Sequence, residues 1–293
     1  MIRLFPLSLL LLVACGGSAA SGAIADMPEA DLTDPDVATK LVSAASPPAI
    51  LWTSQRAMQA PSDAVSCPTV EESEDGLEID VTGGCTDEAG LSFTGTAKYR
   101  FEPQDTTAQD LEPVVVEVED FGYTEQVTCG TSTFDAGTTV TGSLSIKKNG
   151  RFSVDLVSVG VGHHDGCVEH TQTTAFVYSG SFEDVAGGER WSGSGEIGSS
   201  DYGRAKVSTD NQLDDDTCSW EAESGSTTVT AGGHKAVISY DGAEDCSEQS
   251  TVTWTLDGED QGELTGVACS SSGGSVAWIW LASLGVLGLR RRR

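Results

Sequence analysis

Apolar and polar residues alternate over most of the chain between residues 67 and 269. In the segment Leu91–Phe101, side chains at every second position are apolar, and hydroxyl or basic side chains lie between them. This two-residue period is typical of a strand with one buried face. The same analysis predicts strands at Leu77–Val81, Leu91–Phe101, Val114–Phe121, Thr138–Lys147, Arg151–Val161, Thr173–Phe182, Arg190–Ile197, Arg204–Val207, Thr227–Thr230, Lys235–Tyr240, Thr251–Leu256 and Glu263–Val267.

The predicted strands are separated by turn residues rather than by helices. Asn-Gly, Asp-Gly and Gly-Gly pairs recur between them, and parallel strands would need longer, usually helical, connections. We therefore predict a mainly β fold, a large antiparallel meander that forms a coiled sheet, a sandwich or a barrel. Asn149-Gly150 predicts a two-residue hairpin turn, because both residue types tolerate positive φ. In the strand that follows, the apolar residues move from positions 152, 154 and 156 to positions 157, 159 and 161, which predicts a bulge.

One short pattern recurs within the predicted strands: an apolar residue, a hydroxyl residue, glycine and a second hydroxyl residue. It occurs in Phe93–Ala97, Val140–Leu144, Tyr178–Phe182 and Trp191–Gly195. We expect either that Phe93, Tyr178 and Trp191 lie over glycines of neighbouring strands, or that each strand bends at its glycine. A ligand approaching the backbone at these glycines is the functional alternative.

The composition narrows the function classes. The chain has 293 residues, 34 of them glycine, and a net charge of −29. Such a field repels nucleic acid and anionic lipid headgroups, so we exclude a nucleic-acid partner. A solvated acidic surface, with divalent cations as screening partners, is the simplest interpretation.

The N-terminus has the layout of an export signal. A basic start at Arg3 precedes an apolar run that is too short to span a membrane, and Leu12-Val13-Ala14-Cys15 follows. These residues resemble the lipobox of bacterial lipoproteins. The resemblance implies removal of residues 1–14, lipidation of Cys15 and, with Gly16 after it, release to the outer membrane. An ordinary signal peptide with an unmodified Cys15 is the alternative.

The segment before the β region divides into two parts. Residues 15–31 are small and acidic and predict a flexible tether. Residues 32–66 predict two short helices, the first with Asp34 as N-cap and Pro35 in its first turn, the second running from Ser46 toward Met58. Both are amphipathic and need a partner surface, which glycines of the sheet would let them approach closely. A sparsely ordered tail is the competing interpretation.

The C-terminus has a second signal-like pattern. Cys269 and a small-residue spacer precede an apolar run and four terminal arginines. Residues 270–293 resemble the MYXO-CTERM sorting signal, which implies processing by a membrane-embedded sorting protease near Cys269 and display on the surface of a Gram-negative bacterium. A C-terminal membrane anchor, with its arginines in the cytoplasm, is the alternative. The region Asp241–Cys269 also resembles uncharacterised β-rich surface proteins with this tail, a similarity that implies no activity.

The cysteines predict disulfides rather than metal sites. Of the eight, Cys15 and Cys269 are assigned to the terminal signals, and six remain in the β domain of residues 67–269. Fifteen connectivities are possible for six cysteines, and we predict pairing of neighbours. The predicted pairs are Cys67–Cys85, Cys129–Cys167 and Cys218–Cys246.

Candidate metal sites are weak. His163, His164 and His170 lie close together with acidic residues and would suit zinc or copper. A polar loop beside a disulfide is the simpler interpretation, because Cys167 is predicted to be oxidised. Acidic groups at residues 214–216 and 241–245 lack the spacing of a calcium loop, so we predict no cofactor, with calcium as a weak possibility. Gly193–Gly198 matches a dinucleotide-binding pattern only by chance, since no helix is predicted after it.

The sequence contains no catalytic motif, and we predict no catalytic residues. The favoured function is a non-catalytic, lipid-anchored cell-surface protein with a structural or binding role and an unknown ligand. A binding module for surface polysaccharide or protein is the second hypothesis, and an exposed aromatic row among Trp191, Tyr202, Trp220 and Trp254 would favour it. A metal-dependent hydrolase built on the three histidines is the third.

Overall fold

The computed structural model describes residues 18–58, 67–88, 90–102, 114–164, 168–186, 188–215, 222–240 and 251–265. Three helices precede the strands: α1 (Ala19–Asp26), α2 (Pro35–Ala44) and α3 (Pro47–Ala57). The strands are β1 (Thr69–Glu72), β2 (Glu78–Thr82), β3 (Cys85–Thr86), β4 (Ser92–Phe101), β5 (Val114–Cys129), β6 (Ser132–Ile146), β7 (Arg151–His164), β8 (Val168–Val185), β9 (Gly188–Ser199), β10 (Gly203–Asp215), β11 (Ala222–Ala231), β12 (His234–Ser239), β13 (Thr251–Leu256) and β14 (Glu259–Thr265).

All fourteen strands belong to one antiparallel sheet. Apart from β3, which pairs with β4 beside β2, each strand pairs with its neighbour in sequence. The predicted meander is confirmed, and the sheet is open rather than closed. Most predicted strands are present but longer than expected, while β1 and β3 were not predicted. Within the described ranges, no helix is both long and apolar enough to cross a bilayer. Residues 1–14 and 270–293, where the two terminal signals were predicted, lie outside these ranges.

The two faces of the sheet carry different helices. The inner face packs against α2 and α3 and holds the larger core, in which Ile50 and Leu51 of α3 meet Leu156 and Ile197 of the sheet. This confirms both predicted helices and rules out a sparsely ordered tail for residues 32–58. Asp34 caps α2 by accepting a hydrogen bond from the Asp36 N–H at 2.9 Å, with Pro35 in the first turn, as predicted.

Helix α1 lies on the opposite, outer face. Ile24, 1% exposed, packs with Ala20 and Met27 against Ala175 of β8. An ideal Cβ at Gly198 would lie 2.6 Å from the Met27 sulfur, so the glycine allows the residue after α1 to approach the sheet. The expected flexible tether over residues 15–31 is therefore wrong from residue 18 onward. Close approach over a glycine occurs here, and not at the two helices for which it was suggested.

The bulge predicted in β7 is absent. Residues 151–164 keep an unbroken register with β8. Val157 instead points to the outer face, where it packs in the cluster formed by α1. The apolar residues change from one face of β7 to the other because different parts of the strand are covered on each face. The main core covers the inner face at Phe152, Val154 and Leu156, and the cluster around α1 covers the outer face at Val157. Bulges do occur elsewhere, at Asp120 of β5 and Asn211 of β10, two non-glycine residues with positive φ.

The recurring pattern places its glycines on one face of the sheet and its hydroxyl residues on the other. Its glycines lie on the inner face, where the Tyr178 ring lies over Gly193 and Gly195, and the Phe152 ring lies over Gly180. The predicted stacking is thus confirmed for Tyr178. Trp191 instead packs against the Phe152 and Phe182 rings, and at Gly95, with φ of 65°, the register shifts against β5.

Candidate functional site

Hydroxyl residues on six neighbouring strands form a row on the outer face, and two of them, Ser179 and Ser194, belong to the same recurring pattern. Register pairs Ser145 with Ser153, Ser153 with Ser179, Ser179 with Ser194, Ser194 with Ser208 and Ser208 with Thr228. Since neighbouring strands lie about 4.8 Å apart, six hydroxyl side chains follow one another across β6 to β11. We call these residues the hydroxyl row.

The β6–β7 hairpin adds positive charge at one end of the hydroxyl row. Lys147, Lys148 and Arg151 are exposed and lie around the turn. The predicted hairpin is confirmed, but its geometry differs from the expected two-residue turn. Only Gly150 has positive φ, the Gly150 N–H donates to the Lys147 carbonyl at 2.9 Å, and the Asn149 side chain accepts from the Arg151 N–H at 3.2 Å.

The turn is fixed to the neighbouring strand. The Phe182 N–H of β8 donates to the Gly150 carbonyl at 2.9 Å, and an ideal Cβ at Gly150 would lie 2.0 Å from the Phe182 carbonyl oxygen. Any side chain at position 150 would clash with that backbone. The positions of Lys147 and Arg151 relative to β8 are therefore set by the main chain.

Between the turn and the hydroxyl row lies a shallow depression of about 360 Å³. Its polar lining consists of Ser145, Lys147, Arg151, Ser153, Ser179 and Ser181. In the part of the chain that the structure describes, none of these six side chains has a hydrogen-bond or ion-pair partner. Each keeps its hydrogen-bonding capacity for solvent or a ligand.

Arg151 differs in this respect from the other arginines whose side chains are described. Arg100 lies near Glu78 and Glu117, Arg190 near Glu183, and Arg204 near Glu29, all with nitrogen to oxygen distances below 4 Å. Such pairing is expected in a chain of net charge −29. Glu183, which follows Ser181 on the same face of β8, is already 3.3 Å from Arg190.

The structure places the predicted histidines on the β7–β8 hairpin. His163 pairs with Glu169 and His164 with Val168 in the strand ladder, and the side chains of both histidines lie outside the described residues. The His170 ring is 3.1 Å from an Asp201 carboxylate oxygen. Among the described residues, no group of three potential metal ligands is present.

Some of the other candidate site residues lie within the described ranges, and others lie outside them. Cys67 and Cys85 form the predicted disulfide, and Cys129 is disulfide-bonded. Cys15, Cys167, Cys218, Cys246 and Cys269 lie outside the described ranges, as do residues 216 and 241–245 of the weak calcium candidates. Gly193–Gly198 lies within β9 with no helix after it, as expected of a chance match.

The aromatic side chains do not form an exposed row in the described residues. Trp191 and Trp254 are buried at 3% and 6% exposure, and Tyr202 lies under the Lys40 ammonium, 4.6 Å from its ring centre. Trp220 falls outside the described ranges. Recognition of sugars by stacking on these residues is therefore not favoured.

Asp214, beside the inner core, has the most perturbed carboxyl in the described part of the chain. Its pKa is raised to about 7, mainly by burial; a hydrogen bond from the Gln212 side chain opposes the rise, and the nearby Glu189 adds to it. Gln212 is fully buried. Burial thus favours the protonated carboxyl, and the Gln212 side chain donates a hydrogen bond to it at 2.9 Å.

The depression was not predicted, although its parts were visible in the sequence. The alternation places the serines on polar positions of their strands, and the turn was identified, but only the register brings the residues of three strands, β6, β7 and β8, together. Comparison with known proteins adds no assignment: no protein-family model, no curated protein and no solved structure matches the chain.

Proposed function

We propose that the chain is a non-catalytic, lipid-anchored cell-surface protein whose sheet presents a binding face. The observation that carries this proposal is the outer face itself, where hydroxyl and cationic side chains that have no partner among the described residues line an open depression on a continuous sheet. A shallow, preformed surface of this kind suits binding better than turnover, which generally uses a more enclosed pocket.

The proposed cell-surface location rests on the two predicted terminal signals and on the Cys67–Cys85 disulfide. Disulfides persist in oxidising compartments outside the cytoplasm, which agrees with export directed by residues 1–14. The proposed anchor is a lipid on Cys15, and the proposed sorting step is cleavage near Cys269. Since α1 begins at Ala19, three residues separate the proposed anchor from this helix, and three residues reach roughly 10 Å at most.

A binding module for a surface polysaccharide or protein is the more specific form of this proposal. The depression favours it, because its unpaired side chains match the hydrogen-bonding and charge of a polar ligand. The ligand would then be recognised through hydroxyl and charged groups rather than through aromatic stacking.

Membrane fractionation with protease treatment of intact cells tests the proposal. The full chain should partition into the membrane fraction and be degraded by externally added protease, while a Cys15→Ser variant should leave the membrane fraction. Recovery of the unaltered chain in the soluble fraction would overturn it, as would complete protection from external protease.

A further inference from the structure

The depression between the β6–β7 turn and the hydroxyl row has the chemistry of a site for a particular class of ligand. We infer that it binds an acidic saccharide, with the acidic group at Lys147 and Arg151 and the sugar hydroxyls on the serines. This inference rests on the proposed binding function and names its ligand class.

The acidic group is assigned to the turn because unpaired cations lie there. Arg151 offers a planar fork of donors that matches a carboxylate or phosphate, and Lys147 adds a second positive charge. Both line the depression. Lys147, Lys148 and Arg151 surround one turn, and a ligand acid in contact with them is closer than the Debye length of about 8 Å at physiological salt, so salt only partly screens their attraction.

The sugar hydroxyls are assigned to the serines for a similar reason. Ser145, Ser153, Ser179 and Ser181 can each donate and accept a hydrogen bond, and none has a partner among the described residues. Asp155 follows Ser153 on the same face of β7, so a second acidic group would be repelled there. This sets one orientation, with the acid at the turn and the neutral part of the ligand along the hydroxyl row.

The hydroxyl row also indicates an extended ligand. It continues through Ser194 and Ser208 to Thr228, well beyond the depression. Ser153, Ser179, Ser194 and Ser208 are exposed. A chain of several sugar units could follow the row, whereas a single phosphate ion would occupy only the turn.

The test is a binding titration of the purified mature chain at about 0.15 M salt with a xylo-oligosaccharide that carries one terminal glucuronic acid. The xylo-oligosaccharide without that acid is the neutral probe, and inorganic phosphate is the anion alone. We expect the acidic oligosaccharide to bind and the other two to bind at least about tenfold more weakly. The double variant Lys147→Gln/Arg151→Gln should weaken binding of the acidic oligosaccharide about tenfold or more, and Ser153→Val/Ser179→Val should weaken it severalfold.

Lys98→Gln is the matched control, because Lys98 is also exposed and unpaired among the described residues, on β4 and away from the hydroxyl row. It should change the affinity less than twofold, and unchanged unfolding temperatures should show that each variant is folded. The inference is overturned if the acidic oligosaccharide does not bind, if the neutral oligosaccharide or phosphate binds equally well, or if Lys98→Gln has the same effect as the double variant. The proposed anchoring at Cys15 is measured separately by fractionation, so failure of one leaves the other intact.

Discussion

The Tyr178 ring lies directly over Gly193 of the neighbouring strand, so that an ideal Cβ at position 193 would be 2.7 Å from both the ring carbon Cε1 and the hydroxyl oxygen. A Cβ there would also be 2.8 Å from the Ser179 carbonyl oxygen. Tyr178 is 2% exposed, so its ring has little space in which to move. The glycine is required by the ring that covers it, and the serines on either side of it face outward.

Gly193→Ala should therefore destabilise the protein. Overpacking of a filled core costs about 1–3 kcal/mol, and a urea titration should show a lower midpoint. Gly22→Ala is the control, because nothing lies within 4 Å of an ideal Cβ at this exposed position of α1. It should be neutral or stabilising by up to about 1 kcal/mol. Equal effects of the two substitutions would contradict the role assigned to the Tyr178 ring.

Asp214 should make stability depend on pH. Its carboxyl has a pKa of about 7 in the folded chain and near 4 when unfolded, so the folded state holds the extra proton between these values. The contribution of the neutral carboxyl is full below about pH 4 and is lost at up to about 1.4 kcal/mol per pH unit as the pH rises toward 7.

Asp214→Asn removes this titration, so its stability relative to the unaltered chain should increase from pH 4 to pH 7 and then level off. Urea unfolding across this range measures the difference. Glu223→Gln, which neutralises an exposed carboxylate on β11, serves as control and should show no such trend. Parallel stability curves for Asp214→Asn and the unaltered chain would contradict the assignment.

The Cys67–Cys85 disulfide closes a loop with a sequence separation of 18 residues. Loss of a crosslink of this size costs about 3 kcal/mol in the chain-entropy treatment. Cys67→Ser/Cys85→Ser should therefore lower the urea midpoint under oxidising conditions. Under reducing conditions the urea midpoints of the double variant and the unaltered chain should lie closer together. An unchanged difference between the two midpoints would show that loss of the disulfide does not cause the destabilisation.

Helix α1 should depend on its contact with the outer face. Ile24→Ala removes the buried side chain that packs with Met27 and Ala175, and such losses cost about 2–5 kcal/mol in cores. Because α1 is one short helix at the chain's start, we expect it to undock locally, with faster hydrogen exchange at Ala19–Asp26. Ala25→Ser, at an exposed position of the same helix, should leave exchange unchanged. Slow exchange in the Ile24→Ala variant would contradict the docking.

The meander could be predicted from the sequence, because the alternation of apolar and polar residues that marks each strand is contained within that strand. Helix α1 was missed because Ala20, Ile24 and Met27 form an apolar face only when Ala175 and its neighbours lie beneath them. The interpretation of β7 failed for a related reason: Val157 lies on the outer face and is covered there by α1, which the pattern of a single strand does not reveal. The depression could not be predicted, because Ser179 and Ser181 of β8 are distant in sequence from the β6–β7 turn and meet Ser153 and Arg151 only through the β7–β8 register.

The central claim is that the chain is lipid-anchored and sorted to the cell surface. Intact and peptide mass spectrometry of the protein from native membranes, with and without reduction, tests it most directly. We predict a mature chain that begins at an acylated Cys15 and ends near Cys269, with the six intervening cysteines in three disulfides. An unmodified Cys15, or an intact chain through Arg293, would contradict it.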